Sequence, residues 1–286
     1  MTTPFAMRRL SPRIGVEIDA DLSQPLSSGQ CEALRDLVHT HGLVVARDQA
    51  LGRRAHVRLV EYLGPVPRSG HDGISVIDNE IGPEAGDFAT AFARGSLALH
   101  SDDAFSPDPT RYISLYGLEV VDGASATRFA DAVSVLGDLP PDLLAQIKGM
   151  EALHVFGRNL DQRNRLRSSE TNDPHSVHPL IWSHPVTRAP ILYANYLMTD
   201  FLYGPSLAES DALLERLFSY LYAPVNIYEH VWRRGDLLLW DNFILQHARG
   251  PVDPARAGRR RLQRVISVRH GFFDTHPQFR DEMQIS

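Results

Sequence analysis

The sequence predicts a mainly β fold, a sandwich or barrel with helices flanking it, and three observations predict it. From Arg111 onward the chain consists largely of short runs rich in β-branched and aromatic residues, YISLYGLEVV, VNIYEHVW, DLLLW and LQRVISVR, each of strand length. Two helical segments interrupt these runs, and the N-terminal quarter mixes helix and strand. The strands are too numerous, and too antiparallel in character, for a Rossmann fold.

The elements follow from local signals. Ser27 with Gln30 three residues on makes a capping box, and Cys31, Leu34, Leu37 and Val38 then share one helical face, so a helix of about 13 residues follows Ser27. It runs into Gly42 and the apolar run Leu43, Val44 and Val45, which reads as a buried strand. A second helix is expected from Arg53 to Leu63, ending at Gly64. Pro140-Pro141 opens a third, carrying Leu143, Leu144 and Ile147, and Ser206 with Glu209 caps a fourth. Two polar, turn-rich stretches, Pro67 to Ser96 and Gly157 to Ser176, are long enough to be lids over a site.

At 286 residues the chain suits one domain covering 1–286, since β sandwiches and barrels of this length often form a single core. Hydrophobic residues make up 43% and charged residues 22%, the balance of an ordinary globular protein and not of a disordered one. A net charge of -6 opposes a nucleic-acid binder, which would carry a basic face, and favours small-molecule chemistry. There is no apolar window of membrane-spanning length and no signal-like apolar run behind the first arginines, so a cytoplasmic protein is expected; self-association is left open. Cys31 is the only cysteine, which rules out an internal disulfide and any cysteine metal cluster. A metal site must therefore draw on histidines and carboxylates.

His100-Ser101-Asp102 offers such a pair, because residues two apart in an extended segment face the same side. With 13 histidines and 35 acidic residues, a His-x-Asp match in an exposed turn also arises by chance. The second half is GDLLLWDNFILQHARG, in which a strand from Leu237 to Trp240 leads through Asp241-Asn242 to His247. Two histidines and one carboxylate from distant segments make a facial triad, with three positions left open for cosubstrate and oxygen. Three ligands and a water would equally serve a zinc hydrolase, so the ligands alone leave the metal open. Farther on, RRRLQRVISVR puts Arg260, Leu262 and Arg264 on one strand face. Guanidinium forks there suit a dicarboxylate cosubstrate and an anionic substrate, while the plain alternative is a solvated basic edge strand.

Taken together, these motifs resemble the taurine and chlorophenoxyacetate dioxygenase family. The resemblance covers nearly the whole chain: IGVEIDADLSQPLS near the start, ISLYGLEVVDGASATRFAD, the HPL and YAN segments around His178 and Asn195, and WDNFILQH followed by RRRLQR. It implies a double-stranded β-helix, a jelly-roll and cupin-like core with helices packed outside. It implies iron(II) held by His100, Asp102 and His247, with 2-oxoglutarate and O2 as cosubstrates. Thr127 and Arg260 would hold the distal carboxylate of 2-oxoglutarate, Arg264 would face the anionic group of the primary substrate, and His71 lies near the position of a substrate-contacting histidine. The implied reaction is hydroxylation of a small, anionic organic molecule with release of succinate and CO2. Two rivals from other classes are a zinc hydrolase on a similar barrel and a catalytically silent binding protein. The hydrolase gives Thr127, Arg260 and Arg264 no purpose as a set, and the intact His-Asp-His triad argues against the silent protein.

Overall fold

A computed structural model describes residues 4–67, 74–80, 95–166, 173–252 and 258–269. The first helix forms where its cap predicts. Ser27 accepts from the Gln30 backbone N–H while the Gln30 side chain accepts from that of Ser27, and α1 (Ser28–His41) follows. It stops at Gly42, whose φ of 73° lies in the left-handed region and where an added Cβ would meet Leu245 at 2.9 Å. α2 (Arg53–Glu61) ends two residues before the expected Leu63. α3 (Pro141–Ile147) opens on its proline, and α4 (Leu207–Leu221) on the Ser206–Glu209 capping box. In α3, Leu143 and Ile147 are buried as expected but Leu144 faces outward.

The strands are, in chain order, β1 (Ala6–Arg9), β2 (Val16–Asp19), β3 (Leu43–Ala46), β4 (Ile74–Asp78), β5 (Tyr112–Glu119), β6 (Ser125–Asp131), β7 (Glu151–Val155) and β8 (His175–Pro179). After these come β9 (Ile181–Ser183), β10 (Pro190–Leu192), β11 (Thr199–Leu202), β12 (Ile227–Val231), β13 (Leu237–Asp241), β14 (Leu245–Val252) and β15 (Arg261–Ser267). A seven-stranded sheet runs β1-β2-β3-β13-β5-β15-β4, and three smaller sheets run β12-β6-β14, β11-β7-β8 and β10-β9. All named pairs are antiparallel except β2 with β3. The result is a mixed α/β architecture of several sheets in which strands outnumber α-helices.

Strand alternation decides which side each residue serves. On β13, Leu237 and Leu239 join Leu34, Val38, Leu59 and Val60 under α1 and α2. The intervening Leu238 and Trp240 point the other way, where they meet Phe129 of β6 and Leu245 of β14. The large sheet thus packs helices on one face and the β12-β6-β14 sheet on the other. Leu262 of β15 belongs to this inter-sheet side and Val265 to the helix side. Arg264, two residues from Leu262, therefore shares the inner face, as the sequence pattern predicts.

The expected lid stretches are more structured than their composition suggested. Within Pro67 to Ser96, the segment ISVID forms β4 and pairs with β15, leaving Val76 exposed on the sheet edge. Residues 68–73 and 81–94 lie outside the described residues. In the second stretch, Arg158 makes a bidentate pair with Asp173, Arg163 donates to the Thr199 and Asp200 carbonyls, and Arg165 bridges Asp200 and Asp211. The contacts of Arg163 and Arg165 pin that part of the stretch to β11 and α4, and residues 167–172 lie outside the described residues. Among the described residues, no helix is long and apolar enough to cross a membrane.

Candidate metal centre

The two histidines expected as ligands are brought together by backbone. His100 and His247 form an isolated antiparallel bridge, with His100 N–H donating to the His247 carbonyl at 3.0 Å and the reverse bond at 2.8 Å. Across such a bridge the side chains share a face, and the imidazole centroids lie 4.3 Å apart. His100 Nδ1 is 2.8 Å from the Ala98 carbonyl, which leaves Nε2 to point into the site. Asp102 Oδ1 lies 3.1 Å from His100 Nε2 and 3.7 Å from His247 Nε2. One donor atom from each of the three residues fits within 4.8 Å of the others, the only such cluster among the described residues.

The electrostatics suit a cation. Burial, together with the neighbouring His100, pushes the His247 imidazole down to about 3, so at neutral pH it is a neutral ligand. Burial works against the Asp102 charge, but the Arg264 guanidinium and the two histidines outweigh it and hold the carboxyl well below the usual range. The donor set, two imidazoles and a carboxylate that leave coordination positions open, is the kind that non-haem iron(II) takes.

Arg264, expected to face the substrate's anionic group, contacts Asp102 Oδ2 directly, while Oδ1 is the oxygen near the histidines. Oδ2 is thus taken by the guanidinium, and Oδ1, beside the two histidines, would be the oxygen offered to a metal. A guanidinium carries five N–H donors, so this single bond leaves further donors unspent on Asp102.

Arg260 is 8% exposed, and its Nε and Nη1 have no hydrogen-bond partner. Burial, with Arg249 nearby, lowers its pKa to about 9. Its backbone is fixed by Asn79, which accepts from Arg260 N–H at 2.7 Å. Thr127 stands opposite Arg249 across β6 and β14, two residues from the Phe129 that pairs with His247, so it lies on the His247 side of that sheet. Its hydroxyl oxygen accepts from Trp232 Nε1 at 2.9 Å. The structure thus places Thr127, Arg249 and Arg260 at one end of the inter-sheet space. His71 lies outside the described residues.

Three contributors to the site were missed by the sequence reading. Arg249, half-buried just past His247, received no role there. Trp232 reaches Thr127 across 105 positions of chain, and Asn242 reaches Asp102 across 140. His178 and Asn195, noted only as parts of motifs, have structural partners. His178 Nε2 lies 3.0 Å from the Ser106 carbonyl and its ring stacks on Trp182 at 4.6 Å, while Asn195 Oδ1 accepts from Met198 N–H.

With this geometry in view, similarity to known proteins is informative. An alpha-ketoglutarate-dependent sulfonate dioxygenase of Saccharomyces cerevisiae is 24% identical over 254 residues, covering 85% of this chain. The match spans 62% of that protein's own length. An (S)-phenoxypropionate/alpha-ketoglutarate-dioxygenase of Sphingobium herbicidovorans is 27% identical over 231 residues, covering 74% of this chain and 78% of that protein. Among solved structures, AAD-2 in complex with Mn(II) and N-oxalylglycine superposes with a TM-score of 0.79 at 22% identity, over 92% of this chain and 98% of that one. A putative alpha-ketoglutarate-dependent taurine dioxygenase from Burkholderia xenovorans gives 0.76 at 23% identity, over 92% of each chain. The family described as taurine catabolism dioxygenase TauD, TfdA matches residues 6–266. The chain belongs to the TauD/TfdA family of alpha-ketoglutarate-dependent dioxygenases.

Proposed function

We propose that the protein is an iron(II)- and 2-oxoglutarate-dependent dioxygenase that hydroxylates a small, anionic organic substrate and releases succinate and CO2. Its 286 residues act as one domain, whose facing sheets form a double-stranded β-helix. The observation that carries the reading is a buried guanidinium, Arg260, with two unpartnered nitrogens, near Arg249 of the strand that supplies His247 to a three-residue cluster able to hold a metal. A buried cation without an anion is costly, and a ligand carboxylate removes that cost.

Each residue then has a task. His100, Asp102 and His247 hold iron(II), which together with 2-oxoglutarate and O2 supplies an oxidation beyond the reach of amino-acid side chains. Arg260 grips the distal carboxylate of 2-oxoglutarate. Thr127 joins it as a hydrogen-bond donor, because the Trp232 N–H already occupies one lone pair of its oxygen and leaves the hydroxyl hydrogen to turn toward the carboxylate. Arg264 keeps Asp102 ionised through Oδ2 and directs its remaining N–H groups to the substrate's anionic group. The sulfonate and phenoxypropionate in the names of the two relatives support an anionic substrate.

The test is succinate formation in air with Fe(II) and 2-oxoglutarate, screened with matched pairs of sulfonates and sulfonamides and of aryloxy carboxylates and their amides. We expect succinate release to depend on both Fe(II) and 2-oxoglutarate and to be stimulated by anionic members only. Stimulation of equal size by the neutral partners would remove the anionic-substrate assignment, and succinate release independent of Fe(II) would remove the reaction itself.

A further inference from the structure

The His100–His247 bridge explains how two of the three ligands are held together, but it leaves the third, Asp102, to be aimed by other means. Asp102 lies outside any strand and is followed at once by Asp103, whose φ of 59° is left-handed. A ligand in such a turn needs external fixation, because nothing in the local backbone ladder sets the direction of its Cα–Cβ bond.

Asn242 supplies that fixation. Its Oδ1 accepts from the Asp102 backbone N–H at 3.0 Å, and its Nδ2 donates to the Asp102 carbonyl at 3.0 Å and to the Thr110 carbonyl at 2.7 Å. One amide side chain thus grips both backbone groups of the ligand residue. The orientation of the amide is determined by its partners, since both targets of Nδ2 are carbonyl oxygens and the group on Oδ1 is an N–H. Both Nδ2 hydrogens are spent, and the Asn242 backbone N–H donates to the Arg111 carbonyl at 2.8 Å.

The clamp is itself mounted rigidly. Asn242 sits in the turn between β13 and β14, the strand that carries His247. The preceding Asp241 accepts from the Phe243 and Ile244 backbone N–H groups through Oδ1 and pairs with the fully buried His184 at 2.9 Å through Oδ2. The Asp241 N–H donates to the Gly42 carbonyl at 2.9 Å. Any displacement of this turn would move His247 and Asp102 together.

We propose that Asn242 is a positioning residue of the metal centre: by gripping the Asp102 backbone from the β13–β14 turn, it sets the Asp102 carboxylate in register with His100 and His247. The inference rests on the triad being the metal site. It makes Asn242 responsible for metal affinity, in addition to whatever it contributes to the fold. Outer partners of metal ligands govern affinity by holding ligands in the binding geometry before the ion arrives.

The experiment titrates wild type, Asn242→Ala, Asn242→Leu and His247→Ala with Mn(II) alone, reading free Mn(II) by electron paramagnetic resonance. Circular dichroism and thermal unfolding of the metal-free proteins are recorded alongside. Leucine keeps the branched shape of asparagine, with bulkier ends, and loses all three side-chain hydrogen bonds, whereas alanine removes both shape and polarity. We expect the Mn(II) Kd to rise roughly 10- to 100-fold in both Asn242 variants while their metal-free circular dichroism stays that of the wild type. Folded Asn242 variants that bind Mn(II) within about threefold of wild type, well below the usual effect of such partners, would overturn the proposal. Loss of the folded spectrum in both variants would also overturn it, by assigning Asn242 to the fold alone. If His247→Ala also binds Mn(II) like wild type, the metal assignment is what has failed; if only the Asn242 variants do, the clamp is.

Discussion

Replacing His247 with alanine is expected to remove Fe(II) binding and turnover while leaving the fold in place. Only three candidate ligand side chains among the described residues converge on the site, and loss of one leaves a two-point attachment. The fall in metal affinity should exceed the roughly 10- to 100-fold typical of losing an outer partner, because a ligand itself is gone. The fold survives because the bridge between His100 and His247 is made by backbone atoms, which alanine retains. His100→Ala is expected to behave the same way. Asp102→Ala should differ in one respect: it also strips Arg264 of its counter-ion, so it lowers the unfolding midpoint more than His247→Ala does. Mn(II) titration and thermal unfolding of the three variants check both the shared loss and this ordering. Full activity in His247→Ala would remove the assignment.

Loss of the Arg260 charge should separate function from stability. A charge-assisted hydrogen bond contributes about 1.5 to 3 kcal/mol, so Arg260→Met is expected to raise the apparent 2-oxoglutarate constant roughly 10- to 150-fold. In the ligand-free protein the effect runs the other way. The guanidinium there is buried with Nε and Nη1 unpartnered, and burial depresses its pKa to about 9. A methionine of roughly similar volume, though shorter, carries no charge to desolvate, so the ligand-free variant should unfold at the same temperature as wild type or higher. The two outcomes together identify a residue kept for its ligand at a cost in stability. An unchanged 2-oxoglutarate constant would hand that role to another cation, with Arg249 the nearest alternative.

What was legible in the sequence was what is local. Ser27 with Gln30 and Ser206 with Glu209 mark helix starts because both partners of each capping box lie within four residues. His100 and Asp102 share a face because two residues of extended chain make them do so, and the alternation of RRRLQR places Arg264 on the inner face with Leu262. What could not be read is what pairs across the chain. Arg264 meets Asp102 over 162 positions and Asn242 meets it over 140. No spacing rule encodes such contacts; they exist because β15, β5 and β13 are neighbours in one sheet and the β13–β14 turn overhangs the His-x-Asp segment. The strand β4 was hidden for a different reason, since ISVID is short, sits at the sheet edge and is surrounded by turn-forming residues. The Arg264–Asp102 contact is of the cross-chain kind: the strand pattern gives the face on which Arg264 stands but not the carboxylate it meets there.

The central claim is that iron(II) and 2-oxoglutarate bind at one site made by His100, Asp102, His247 and Arg260. Anaerobic titration followed by visible absorption tests it most directly, because a chelated iron(II)–keto acid pair absorbs weakly in the visible and neither partner does so alone. We predict a band that grows only when Fe(II) and 2-oxoglutarate are both present, is absent in His247→Ala, and requires much higher 2-oxoglutarate in Arg260→Met. A protein that binds Fe(II) yet yields no band at saturating 2-oxoglutarate, or a band that persists unchanged in His247→Ala, would contradict the account.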